Sequence, residues 1–160
     1  MSDKASQKGM TLVEVLVACA ITVIIVGGLS TAIYMIISAT ERGNGETSAL
    51  HDVQNAAYWI SYDAQMASTT DLVEGDQLVD SLSLDWTDCY GNSHSSSYWL
   101  SDSKLQRDYD DTTTTVAWYV SSIEFSISGD VLTFHLESTP EGRWDVGRET
   151  TGNVCLRPNT

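Results

Sequence analysis

The chain predicts an α+β protein in which one long N-terminal helix lies on an antiparallel β head. Three observations carry that prediction. Residues 15–39 form a run of 25 without a charge. Residues 50–67 then repeat apolar side chains at helical spacing. Beyond residue 68 apolar and polar positions alternate, which is the period of a half-buried strand.

The 160 residues amount to one ordinary domain, or a small domain with an appendage. An apolar fraction of 42% against 19% charged residues argues against wholesale disorder. Eight basic and 22 acidic residues give a net charge of −14. Such a chain is repelled by nucleic acid and by anionic surfaces, so no nucleic-acid binding is expected. Two Pro and two Phe beside five Trp and seven Tyr suit a Ser/Thr/aromatic-rich β region.

The first helix comes from the uncharged run. At 1.5 Å per residue, 25 helical residues extend roughly 37 Å, enough to cross a ~30 Å hydrocarbon core with some tilt. Gly27-Gly28 is its weak point, although glycine is tolerated in membrane helices. A cleaved secretory signal has a shorter apolar region and a small-x-small site, and Ser38-Ala39-Thr40 is a poor one. Lys4 and Lys8 precede the run, and Arg42 alone follows closely. That asymmetry puts the N-terminus in the cytoplasm and the polar bulk outside the cytoplasmic membrane. Glu14 does not fit a plain anchor. A charge held at mid-bilayer costs about 2.5–3.5 kcal/mol or more. Either the side chain reaches water at the headgroup boundary, or it meets a cation supplied by maturation or assembly.

Lys8-Gly9-Met10-Thr11-Leu12-Val13-Glu14, leading directly into the apolar run, resembles the signal of type IV prepilins and type II secretion pseudopilins. The resemblance implies cleavage after Gly9 by a prepilin peptidase and N-methylation of Met10. It implies retention of Glu14, the fifth mature residue, to neutralise the terminal amine of a neighbouring subunit; Thr11 belongs to the same assembly motif. Met10 replaces the commoner Phe. Cleavage would remove one acid and two bases, leaving 151 residues at −15. A buried pair of this kind is weak evidence for stability, but it can fix register.

Gly43-Asn44-Gly45 reads as a break, so a kink or melted turn is expected there, with Thr47 or Ser48 capping a fresh helix. Leu50, Val53, Ala57, Ile60, Ala64 and Ala67 then lie on one helix face. A short coiled coil would give the same stripe, but dense flanking charges are lacking. The division is therefore a leader at 1–9, a membrane and assembly helix at 10–39, a kink and amphipathic helix at 40–67, and a β head at 68–160.

In the head, Leu82, Leu84 and Trp86 alternate with polar residues. Tyr98-Trp99-Leu100 and Leu105-Gln106-Arg107 flank the turn residues Ser101-Asp102-Ser103. Val116, Trp118 and Val120 alternate, as do Ile123, Phe125 and Ile127. Ser128-Gly129-Asp130 reads as a hairpin turn into a strand with Leu132, Phe134 and Leu136 on one face. The expectation is one antiparallel meander buried on one face, with residues 139–160 as an edge or loop. The strand order, with Leu105-Gln106-Arg107 and Ile123-Glu124-Phe125, is similar to the heads of J-type minor pseudopilins and W-type minor pilins.

Cys19 falls in the apolar run as a small filler. Cys89 and Cys155 lie in the exported part, where disulfides persist. A bridge between them would close a loop of about 67 residues and contribute about 4 kcal/mol; two free thiols are the alternative. His51, His94 and His135 show no metal spacing and read as surface or sheet-face residues. Asp108, Asp110 and Asp111 read as a solvated acidic turn, although some pseudopilins bind calcium in head loops. No metal ligand set, cofactor motif or catalytic nucleophile is found, so the chain is not expected to be an enzyme. The expected partners are the peptidase, other pilin or pseudopilin subunits and the membrane. A tethered ligand-binding protein that never polymerises is the other reading, but it leaves the order Gly9, Thr11, Glu14 without a reason.

Overall fold

The computed structural model describes residues 10–75, 78–144 and 146–157. Its one long helix, α1, spans Leu12–Met66. Eight strands follow: β1 Thr69–Thr70, β2 Ser81–Thr87, β3 Ser93–Ser101, β4 Lys104–Tyr109, β5 Thr112–Ala117, β6 Val120–Ser128, β7 Val131–Ser138 and β8 Arg148–Cys155. The chain forms two compact units, residues 1–40 and 41–160.

In the first unit, α1 is long and apolar enough to cross a membrane, and none of its most apolar window is buried within the chain. Its hydroxyls turn back on the helix. Thr22 donates to the Ala18 carbonyl at 2.8 Å, Ser30 to Val26 at 2.9 Å and Thr31 to Gly27 at 3.0 Å. Those bonds leave no hydroxyl proton of these residues unpaired in an apolar setting. The helix continues through Gly27 and Gly28.

In the second unit the expected melted turn is absent. Helical bonding continues through residues 43–45, and no fresh helix starts at Thr47 or Ser48. Thr47 instead donates to the Gly43 carbonyl at 2.8 Å. The helical penalty of glycine, about 1 kcal/mol each, is small beside tertiary packing. Gly45 also has a packing reason, since a Cβ there would lie 2.6 Å from Val146 Cγ2.

The buried face of α1 is Ala49, Asp52, Val53, Ala56, Ile60, Asp63 and Ala64. Val53, Ile60, Ala64 and Ala67 match the expected stripe and Ala57 is half-buried, but Leu50 is 45% exposed. The face is turned toward two aspartates. Each has partners on the sheets, and small Ala49 and Ala56 allow close approach.

The head contains two antiparallel sheets rather than one meander. One has the order β1-β2-β3-β4-β5 and the other β6-β7-β8. The change of sheet falls at Trp118-Tyr119, so Val116, Trp118 and Val120 do not share a strand. Asp52 fixes that crossing: its carboxylate accepts from Trp118 N at 3.1 Å and Tyr119 N at 3.0 Å. Asn55 Nδ2 donates to the Val116 carbonyl at 2.6 Å, beside a register shift between Leu105 and Gln106. The segment ahead of β2 also pairs with β6 through the Val79–Phe125 bridge.

The two expected hairpins form, at residues 101–103 and 128–130, and a third joins β4 to β5 at the acidic turn. Asp102 and Ser103 join β3 to β4 with φ of 51° and 58°, and Asp110 and Asp111 join β4 to β5 with 47° and 65°. Two successive positive φ values give the turn twist that matches paired strands. Gly129-Asp130 links β6 to β7, and residues 148–155 form the edge strand β8. Ile60, Leu82, Leu84, Tyr98, Leu105, Phe125, Phe134 and Leu136 meet in one core between helix and sheets. Burying each large side chain there stabilises the fold by about 1.5–3 kcal/mol. The Phe134 ring lies under Gly152, where a Cβ would come within 2.2 Å of it.

Candidate assembly site at the start of helix α1

Met10, Thr11 and Glu14 are exposed at the start of α1. Thr11 is the N-cap: its Oγ1 accepts from Glu14 N at 3.3 Å, and its carbonyl accepts from Val15 N at 3.2 Å. Thr11-Leu12-Val13-Glu14 is thus the T-x-x-E pattern of a capping box, a signal the sequence reading passed over. The cap places Glu14 in the first turn, where the helix dipole favours an anion. Among the described residues Glu14 forms no ion pair. Gly9 and the expected cleavage point after it lie outside the described residues.

Cys89 and Cys155 are free and exposed, so the expected bridge is not formed in this structure. Cys89 is in the β2–β3 connection of one sheet and Cys155 ends β8 of the other. Cys19 is free on α1.

Two side-chain clusters in the head escaped the sequence reading. In the first, Asp63 is fully buried on α1. Its Oδ2 accepts from Ser96 Oγ at 2.6 Å, Arg107 Nε at 2.7 Å and the Tyr98 hydroxyl, while Oδ1 accepts from Arg107 Nη2 at 2.8 Å. The Arg107 guanidinium lies 4.6 Å from the Trp59 ring centroid and 4.8 Å from that of Tyr109. Burial and the Asp63 charge push the Tyr98 phenol well above its ordinary range. The two-pronged ion pair fastens helix to sheet, a positioning role. Its sequence signal is the 11-residue spacing of Asp52 and Asp63, three helical turns on the inward stripe.

In the second cluster, His94 lies between Asp110, 2.6 Å from Nδ1, and Asp88, 3.5 Å from Nε2. Its ring stacks on Trp86 and Tyr109. The hydrogen bond to Asp110 raises the His94 pKa. Asp88 is lowered to about 2, first by the Asn92 side-chain and backbone hydrogen bonds. The acidic turn is therefore only partly solvated: Asp110 is bound to His94 and to Ser95 N, whereas Asp108 takes a bond from Thr113. His51 is exposed on α1, and His135 pairs with Thr151 across β7 and β8. Among the described residues, no group of three His, Cys, Asp or Glu is placed to hold a metal ion.

Residues 4–30 match the family model described as the prokaryotic N-terminal methylation motif. The match covers Gly9, Met10, Thr11 and Glu14 together with most of the apolar run. No curated protein and no solved structure matches the chain. The motif, in register with a capped apolar helix, supports a prepilin-type protein anchored in a membrane.

Proposed function

We propose that this chain is a structural subunit, of the minor kind, in a type IV pilus or type II secretion pseudopilus, and not an enzyme. A prepilin peptidase removes residues 1–9, and the new amine at Met10 is methylated. The helix then leaves the bilayer sideways into a bundle of like helices, where Glu14 answers the amine of another protomer. The head stays outside the cytoplasm and docks on other subunits. The observation that carries this reading is the methylation motif over residues 4–30, in register with a helix that Thr11 caps.

Chemistry gives each part a reason. An apolar helix gains little from moving between lipid and protein, so packing and polar contacts decide association. A carboxylate one turn inside that helix is costly without a cation, and cleavage creates one four residues away. The minor-subunit assignment rests on the likeness of the head's strand order alone.

Substitution Gly9→Val tests the processing step. The variant should insert but stay at precursor length on immunoblots from a host with active prepilin peptidase. Wild-type processing of the variant contradicts the cleavage assignment.

A further inference from the structure

We propose that the cleft beside Trp86 and His94 in the head binds a neutral saccharide unit. The cleft is a cavity of about 700 Å³. That volume is within the ~300–1,000 Å³ range of small-molecule sites. Strand pairing builds it. The β2–β3 register sets Trp86 directly opposite His94. The turn between β4 and β5 brings Asp110 alongside, where its backbone N–H donates to the Ser95 carbonyl at 3.2 Å. Ser68 and Thr69, just past the end of α1, add to the wall.

Two unmet hydrogen-bonding needs meet in this cleft. Trp86 lines it, is only 5% exposed, and its buried indole Nε1–H has no acceptor among the described residues. A buried donor without a partner lowers stability, so folded proteins rarely leave one. Indole donates and cannot accept. Asp85 and Asp111 also line the cavity, and their carboxylates accept no hydrogen bond from the described residues. Ionised carboxylates accept and cannot donate. Asp110 is already engaged, by His94 Nδ1 at 2.6 Å and by Ser95 N at 2.9 Å.

A hydroxyl answers both needs, because it accepts from the indole and donates to a carboxylate. A metal ion or an ammonium group accepts nothing. An anion meets three carboxylates, with no Lys or Arg in the lining to offset them. His94, the one base there, is held between Asp110 and Asp88. Uronic, sialic and phosphorylated sugars are disfavoured for the same reason. A neutral saccharide carries many hydroxyls in fixed directions, and five Ser or Thr residues of the lining can pair with more of them. Trp86 stacks on His94 at 5.8 Å and His94 on Tyr109 at 6.0 Å, which holds the rings in place before a ligand arrives. Water has the same two capacities as a hydroxyl, so the test must separate the two.

The inference does not rest on cleavage, anchorage or polymerisation. The test uses the full chain, labelled with heavy nitrogen, in a detergent without a sugar headgroup. It follows the five tryptophan indole N–H resonances during titration with maltotetraose, cellotetraose and chitotetraose. The W86F variant assigns the Trp86 resonance; should it not fold, phenylalanine at each of the other tryptophans assigns it by elimination. At least one of these neutral sugars should move the Trp86 resonance and leave the others in place. The D85N/D111N variant changes two exposed side chains. It should keep its circular dichroism spectrum and bind about tenfold more weakly, since hydrogen bonds to a charged acceptor are the stronger ones. Tetragalacturonate, an acidic chain, should leave the resonance unmoved. No movement with any of the neutral sugars overturns the proposal and leaves water as the partner of the indole. Equal movement with tetragalacturonate, or unweakened binding in D85N/D111N, overturns it as well. None of these results alters the reading of processing at Gly9.

Discussion

At the residue scale, the proposed function gives Glu14 two separable jobs. As the third helical residue after the Thr11 cap, it suits the start of any helix. As a charge in an apolar segment, it calls for a cation. Glutamine keeps the capping ability and loses the charge. We therefore expect Glu14→Gln and Glu14→Ala to insert normally and both to fall at least tenfold in assembled material. An uncompensated charge of about 2.5–3.5 kcal/mol exceeds the ~1.4 kcal/mol that makes a decade. Wild-type assembly of the Gln variant beside failure of the Ala variant would assign the residue to capping alone. His94 offers a second test. Folding strengthens its hold on a proton, so its contribution is full below the unfolded value of 6.5 and is lost as pH rises through the raised folded value. Asp88 and Asp110 are lowered, so theirs is present above the ordinary carboxylate range and lost on acidification. Head stability should peak in weakly acidic solution, between those limits. His94→Gln should flatten the decline in urea midpoints as pH rises above 6.5. An unchanged pH profile in that variant would remove His94 from the account.

At the scale of elements, the fastening of α1 to the sheets depends on two buried aspartates. Removing one partner of a buried, bidentate pair leaves an uncompensated charge and costs about 3–5 kcal/mol. Asp63→Asn and Arg107→Met should each destabilise the detergent-solubilised full chain by that amount in denaturant titration. Ile60→Val nearby should cost only about 0.5–1.5 kcal/mol. A loss at Asp63 no larger than that at Ile60 would show the pair to be incidental. These aspartates also mark where sequence reading stopped. Apolar periodicity located the helix, and strand alternation located Leu82, Leu84, Trp86, Phe125 and Phe134 inside. Periodicity follows apolar side chains, so it placed Leu50 on the inward face and passed over Asp52. Only the arrival of Arg107, Ser96 and the Trp118 and Tyr119 amides from distant strands makes the reverse arrangement stable. The same blindness merged two sheets into one, because the crossing at Trp118-Tyr119 is set by Asp52 and not by any turn residue. Gly45 was misread for a related reason: its missing side chain serves contact with Val146, not flexibility.

For the whole molecule, the two units answer different environments. Residues 15–39 are built for hydrocarbon, with hydroxyls satisfied along the helix and no face buried by the chain itself. Residues 41–160 have their own core and a dense acidic surface. The methylation motif was legible in sequence because it is local, needing only Gly9, Met10, Thr11 and Glu14 in order ahead of the apolar run. The buried Asp63–Arg107 pair was not legible, since its partners come from the helix and from separate strands. On the proposed function, Gly9 precedes a processed N-terminus whose amine Glu14 answers. Intact mass spectrometry of the chain extracted from membranes of a host with active prepilin peptidase tests it directly. The account predicts a polypeptide beginning at Met10 and carrying one added methyl group; a full-length chain, or a start at any other residue, would contradict it.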